Sequence, residues 1–313
     1  MSASNNLNLP YSTKLVGLDK YFNEMTNLYE KKKFPKVLLL NGKKGIGKFT
    51  LIMHFINYVY SKNEPTLYDT KKKIINVNSS FYNLLLNKLS QDIFFIQAEE
   101  SRNIKIDDIR TLKKSLMNSS LSTNPRFTII DEVEFLNHNS ANALLKTLEE
   151  PTNNNFFILI NSKQTNLLET ISSRCLKSNI FLSTAHENEV INYLIEERRI
   201  ENVINLKECL TPGLFLKFNE IYLKYQIRQN DNIFVKLNIL INGYKKEKDK
   251  LLISLVYFSI NYFFLQKIKN NENDIELLLK IKTSIVKIIN DFVQFNLNIN
   301  SVLNLIKTKL KNV

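Results

Sequence analysis

An apolar strand that runs into a glycine-rich loop and then a helix is the feature that most restricts how this 313-residue chain can fold. The strand is predicted at Val37–Leu40 and the helix at Thr50–Tyr60, with GKKGIGK between them. In that setting, backbone N–H groups of the loop can close around a phosphate, and the start of the helix favours an anion. The residues predicted to hold the phosphate are Gly42, Gly45, Gly47 and Lys48.

The N-terminal half alternates short apolar runs with helical patterns. The predicted strands are Val37–Leu40, Ile93–Ile96, Phe127–Ile130, Phe156–Ile160 and Ile180–Leu182. The helical stretches are Thr50–Tyr60, Ile106–Met117 and Ser140–Glu149. This alternation predicts a doubly wound parallel sheet of five strands. Residues 61–91 interrupt it with Lys, Asn and Ser, and are predicted as a polar insertion, part helix and part loop.

From Ser183 onward the pattern is helical throughout. Its most apolar run is Leu251–Leu265, which is shorter than the ~20 residues that a membrane span needs. We therefore predict a buried helix there. Together with the later stretches Ile275–Phe295 and Val302–Leu310, it should form a helical bundle that leaves one face for neighbouring subunits.

The formal net charge of +13 attracts phosphate and leaves open a nucleic-acid-binding module. The chain is also rich in Lys, Asn and Ile and poor in Arg, a bias that AT-rich coding can produce, so the charge need not mark a binding face. The two cysteines, Cys175 and Cys209, are too few for a disulfide framework or a four-thiolate zinc site. The N-terminus lacks the basic and apolar pattern of a signal peptide, so we expect a cytoplasmic protein.

A second chemical signal is the predicted strand Phe127–Ile130, which follows Arg126 and is followed by Asp131 and Glu132. Two carboxylates at the carboxyl edge of a parallel sheet lie where ligands bind. In a nucleotide site Asp131 would hold Mg²⁺ and Glu132 would act as general base. However, Phe49 stands where a Ser or Thr hydroxyl should bind the metal, and Thr50 is turned about 100° further around the helix. The sequence thus favours phosphate binding over metal-assisted hydrolysis.

The run SANALLKTLEEP at Ser140–Pro151, followed by FFILINS and Ser173–Cys175, resembles the clamp-loader branch of the AAA+ proteins. Leu15–Gly17 and Ile104–Arg110 agree with this resemblance, which covers roughly residues 14–182. It implies an AAA+ nucleotide-binding fold, a small helical lid and a C-terminal helical collar. Such proteins form a ring of five subunits that opens the sliding clamp and loads it onto primed DNA.

The resemblance implies three domains. These are an AAA+ α/β domain over residues 1–180, a helical lid over 181–225 and a helical oligomerisation domain, the collar, over 226–313. The implied partners are the gamma/tau and delta subunits of a clamp loader, with the sliding clamp and primed DNA reached through the complex. No membrane partner is expected.

The resemblance also assigns roles to single residues. By position these are Val16 and Gly17 at the adenine pocket, Lys48 in the phosphate loop, Asp131 with Glu132 as the metal and water pair, and Asn161 or Ser162 as the polar sensor. Arg174 matches the arginine that reaches into a neighbouring subunit's ATP site. A guanidinium there neutralises charge that develops on the γ-phosphate and is worth ~10³–10⁵ in rate. The alternative for Arg174 is an ordinary surface ion pair worth ~0–1 kcal/mol.

Three departures separate the chain from hydrolysing relatives. Phe49 removes the metal-binding hydroxyl, Leu214 stands where they carry an Arg, and no Cys lies in residues 50–92, so no zinc is expected. The first two predict a subunit without independent ATPase activity, which binds ATP or ADP with little or no Mg²⁺ and supplies Arg174 in trans. The alternative is an active motor subunit in which Thr50 provides the hydroxyl.

Overall fold

A computed structural model describes residues 11–62, 64–87, 90–98, 103–117, 124–152, 154–162, 166–204, 210–270 and 275–311. The N-terminal segment and Cys209 therefore lie outside the described residues. The chain divides into two compact units, one of residues 1–200 with 207–214 and one of 201–206 with 215–313. The finer division into a lid and a collar stays a prediction.

The first unit contains a parallel sheet in the order β2-β3-β4-β1-β5. Its strands are β1 Val37–Asn41, β2 Ile93–Gln97, β3 Arg126–Asp131, β4 Asn155–Asn161 and β5 Leu176–Asn179. The interior strands are buried on both faces, which explains why they read as continuous apolar runs. The prediction of a five-stranded parallel sheet is confirmed.

The position predicted for the fifth strand is wrong. The strand is Leu176–Asn179 and not Ile180–Leu182. Because β5 pairs only with β1, it is an edge strand, and its LKSN sequence is largely exposed. The buried side chains of Ile180 and Leu182 follow the end of the strand, where the Ile180 N–H donates to the Asn41 carbonyl at 2.7 Å. The apolar run therefore marks core contacts beyond the strand.

Helices cover both faces of the sheet. They are α1 Asp19–Glu30, α2 Lys48–Ser61, α3 Ser80–Leu86, α4 Ile106–Met117, α5 His138–Glu149, α6 Glu169–Ser172 and α7 Thr184–Arg198. Side chains alternate along β1, so Leu38 and Leu40 join the apolar cluster that includes α1 and α2, whereas Val37 and Leu39 join the one that includes α4 and α5. Every predicted helix of this unit is present.

The predicted insertion contains α3 and is tied back to α2. The ring of Phe81 stacks on Tyr60 with 4.1 Å between centroids. The hydroxyl of Tyr68 lies 2.8 Å from Nδ1 of His54, whose Nε2 lies 3.1 Å from the Ser12 carbonyl oxygen. The described part of residues 61–91 thus combines helix and loop, as predicted, and adds aromatic residues to the core.

The second unit is helical in its described residues. The helices of the C-terminal part are α8 Pro212–Lys224, α9 Ile233–Glu247, α10 Lys250–Lys269, α11 Ile275–Phe295 and α12 Ile299–Leu310. Among the described helices, only α10 is long and apolar enough to cross a bilayer by length and composition. Its side chains Leu255, Ile260 and Phe264 are buried, and the helix packs against α9 and α11. This arrangement is that of a core helix in a bundle.

Candidate functional site

The phosphate loop joins the end of β1 to the start of α2. Gly45 and Gly47 have φ angles of +83° and +95°, which side-chain-bearing residues adopt only with strain. Nζ of Lys48 donates to the carbonyl oxygens of Gly42 at 2.8 Å and Lys43 at 2.7 Å. Burial lowers the pKa of Lys48 to about 8, although the carboxylate of Asp131 works against this shift. The loop thus has the predicted fold, with its ammonium group turned inward.

The start of α8 packs directly on this loop. The Thr211 hydroxyl donates to the Lys44 carbonyl oxygen at 2.7 Å, and the Gly213 N–H donates to the Gly45 carbonyl oxygen at 2.8 Å. A Cβ atom on Gly213 would lie 2.8 Å from the Cα of Gly45, so this close approach requires glycine. The next residue is Leu214, which offers no charge or hydrogen bond to a phosphate.

Asp131 and Glu132 lie at the carboxyl end of β3, as predicted. Burial and the neighbouring Glu132 raise the pKa of Asp131 to about 6, while the Glu132 N–H, which donates to Asp131 at 2.9 Å, lowers it. Glu132 is buried and forms an ion pair with Lys44 of the loop. The carboxylate assigned as general base from the sequence is thus bound to an ammonium group of its own phosphate loop.

Residues that the sequence did not single out complete this region. Glu134 is buried, and its carboxylate accepts a hydrogen bond from the N–H of Ser162 at 3.1 Å. The amide of Asn161 donates to the side-chain oxygen of Asn41 at 2.9 Å, which links the ends of β4 and β1. Both sensor candidates therefore lie near the phosphate loop and bond within their own chain. The DEVE run was the signal that could have indicated Glu134.

Gly17, one of the two residues predicted for the adenine pocket, packs against the start of α7. Gly17 has a φ of +73°, and a Cβ atom there would lie 2.9 Å from Cδ1 of Leu182 and 3.2 Å from Cβ of His186. Val16 is half-buried. The structure shows why position 17 needs glycine, and the adenine-binding role of both residues stays a prediction.

The residues present do not fit the magnesium site implied by hydrolysing relatives. The Phe49 ring lies 6.1 Å from the Tyr11 ring and 5.9 Å from the Phe95 ring, between centroids. A partly buried aromatic side chain that packs against the core thus takes the place of the hydroxyl. Thr50 lies two residues after Lys48 in α2, so its side chain is about 200° around the helix from Lys48 and about 100° from position 49. No group of three His, Cys, Asp or Glu in the described chain is placed to hold a metal ion.

Arg174 lies outside the phosphate loop, between α6 and β5, and its side chain is 33% exposed. Its Nε donates to Oε1 of Glu149 at 2.6 Å, and its Nη1 donates to the Thr170 carbonyl oxygen at 2.8 Å. The guanidinium is thus neither buried in the core nor bound to the phosphate loop. One-third of the side chain remains exposed to solvent.

The parallel sheet with a phosphate loop after β1 defines an AAA+ type of nucleotide-binding domain, as the sequence predicts. Residues 17–182, more than half of the chain, match the protein family described as DNA polymerase III, delta subunit, and the chain belongs to this family.

Two curated relatives are named DNA polymerase III subunit delta'. The protein of Buchnera aphidicola subsp. Acyrthosiphon pisum is 25% identical over 281 residues, which cover 82% of this chain and 79% of the relative. That of Buchnera aphidicola subsp. Schizaphis graminum is 27% identical over 191 residues, covering 60% of this chain and 55% of the relative. A crystal structure of a gamma subunit-related protein from Thermotoga maritima aligns with a TM-score of 0.47 and 18% identity, over 91% of this chain and 99% of that one.

Proposed function

We propose that this chain acts in the cytoplasm as the delta-prime subunit of a DNA polymerase III clamp loader. It would assemble with gamma/tau and delta subunits and take part in loading the sliding clamp onto primed DNA during DNA replication. The family match and the names of the two Buchnera relatives support this assignment. The observation that carries it is a partly exposed Arg174 in a chain whose own nucleotide site has Phe49 in place of the metal-binding hydroxyl and Leu214 in place of an arginine.

In this proposal Arg174 supplies its guanidinium to the ATP site of a neighbouring subunit. Charge develops on the γ-phosphate during transfer. A fixed cation that stabilises this charge raises the rate of hydrolysis by ~10³–10⁵-fold. The chain's own site hydrolyses ATP poorly. Phe49 stands at the position of the metal-binding hydroxyl, and the Glu132 carboxylate is held in an ion pair with Lys44. The side chain of Leu214 has no charge or hydrogen-bond donor for a phosphate. ATP or ADP held by the loop would therefore bind with little or no Mg²⁺.

The second candidate is a hydrolysing motor subunit. A gamma subunit of Buchnera aphidicola subsp. Schizaphis graminum is 27% identical over 183 residues, so the gamma and delta-prime types are related in sequence. A motor would need Thr50 to supply the missing hydroxyl. Turnover of Mg-ATP by the isolated chain, compared with Lys48→Ala, separates the two candidates. The delta-prime assignment predicts negligible turnover by both proteins, whereas activity lost in Lys48→Ala would establish a motor.

The trans role is tested in the reconstituted complex. Arg174→Ala should lower the ATPase rate stimulated by clamp and primed DNA by a factor of ~10³ or more, with assembly of the ring unchanged. Arg110→Ala is a matched control, since Arg110 is an exposed arginine of α4 paired with Asp107. It should leave the rate unchanged. Full ATPase activity with Arg174→Ala would refute the role of Arg174.

A further inference from the structure

We infer that Glu149 is a positioning residue for Arg174, which orients the guanidinium so that a single edge points away from its own chain. This inference rests on the proposed trans role of Arg174 and adds the residue that orients its guanidinium. Glu149 is the last residue of α5 and lies 25 positions before Arg174.

The hydrogen bonds of Arg174 define the orientation. A guanidinium has five N–H groups in a fixed planar fork. Nε donates to Oε1 of Glu149 at 2.6 Å, and Nη2 forms an ion pair with the same oxygen. The two N–H groups of Nη1 are directed at the Thr170 carbonyl oxygen at 2.8 Å and the Ser173 hydroxyl at 3.2 Å. Among the described residues Nη2 contacts only Glu149, so the Nη2 N–H on the far side from this carboxylate is available to an anion.

The groups that hold Arg174 are themselves anchored. Glu149 ends a helix that is fixed in the core by Leu144 and Leu148, which are 0% and 3% exposed. Thr170 belongs to α6, which is anchored by the fully buried Ile171. A guanidinium hydrogen-bonded to two elements that are anchored in the core loses less side-chain freedom when it meets a phosphate than an unbound one.

Glu149 could also act in the opposite direction. Its negative charge partly neutralises the guanidinium, and if that effect dominated, removal of the carboxylate would raise the rate. The geometry favours positioning, because Glu149 binds the Nε side of the fork and leaves an Nη2 N–H outward. Misplacement of a catalytic group by about 1 Å lowers a rate by ~10²-fold, whereas weak screening at a part-exposed site changes it much less.

The test uses the reconstituted clamp-loader complex with ATPase activity stimulated by clamp and primed DNA. Glu149→Ala should lower kcat by about 10- to 100-fold and change the KM for ATP by less than about twofold. Glu149→Gln keeps an oxygen that accepts from Nε, so kcat should fall less than in Glu149→Ala. If Glu149→Ala fails to assemble into the complex, Glu149→Gln is used in its place. Glu150→Gln, which changes the adjacent exposed carboxylate, should retain the wild-type rate.

The double variant separates positioning from an independent effect. In an Arg174→Ala background, Glu149→Ala should cause no further loss, because residues that act through one another are not additive. A multiplied loss, an increased rate or no change with Glu149→Ala would overturn the inference while the Arg174 result stands. If Arg174→Ala itself kept full activity, the proposed function would fail, and the positioning role would fail with it.

Discussion

His54 should make the protein lose stability in mild acid. The imidazole is fully buried on α2, with Nε2 near the Ser12 carbonyl and Nδ1 near the Tyr68 hydroxyl. Burial lowers its pKa from 6.5 to about 4, although the Ser12 carbonyl works in the opposite direction. Between these two values the unfolded chain binds a proton that the folded chain excludes. The free energy of unfolding therefore falls as pH falls from about 6.5 to about 4, by about 3 kcal/mol in total.

The assay is chemical unfolding followed by circular dichroism from about pH 7.5 to about pH 4, for wild type and His54→Gln. The glutamine amide can donate to Ser12 and accept from Tyr68, so the folded contacts are kept without a titrating group. Wild type should lose about 3 kcal/mol more than His54→Gln over this range. Asp131, whose raised pKa of about 6 acts in the opposite direction, contributes equally to both proteins.

His138→Gln is the matched control, since His138 is exposed at the start of α5. It should follow the wild-type pH profile throughout. Parallel profiles for wild type and His54→Gln would show that His54 is protonated in the folded protein without penalty, and the reasoning from burial would be refuted.

Gly45→Ala should lower the free energy of unfolding by about 1–3 kcal/mol, because the left-handed backbone disfavours a side chain and the new Cβ would lie 2.6 Å from the Thr211 hydroxyl oxygen. Lys43→Ala, in the same loop and exposed, should change it by less than about 0.5 kcal/mol; equal losses in urea titrations would contradict the packing on α8. In α10, Phe264→Ala should cost about 3–5 kcal/mol. Leu265→Ala, at a side chain that is 46% exposed, should lower the free energy of unfolding by less than about 1 kcal/mol in the same urea titration. A comparable loss at both positions would contradict the buried face of α10.

The interior of the sheet could be predicted from the sequence because its signal is local. Strands such as β3, which are buried on both faces, must be apolar along their length, and helices cover them at regular intervals. The edge strand β5 carries no such requirement. Its residues face solvent, and only the hydrogen bonds to β1 define it as a strand. Sequence periodicity records burial, so it located the buried residues that follow β5.

The same distinction applies to the site. The glycines and Lys48 act within one loop, and their spacing alone identifies it. The ion pair between Lys44 and Glu132 joins residues 88 positions apart, and the bond from Ser162 to Glu134 spans 28. Such pairs depend on which strands are neighbours in the sheet. Before that order is known, a buried glutamate and an exposed one look alike in sequence.

The aromatic contacts of Phe49 couple the position of the metal-binding hydroxyl to the packing of the first unit. The ring touches Tyr11 and Phe95 and packs against the main apolar cluster of the first unit. Replacing Phe49 with serine or threonine would remove these ring contacts at the same step as it supplied a hydroxyl for a metal. A metal-binding hydroxyl at this position would therefore need a second change that restores the lost packing.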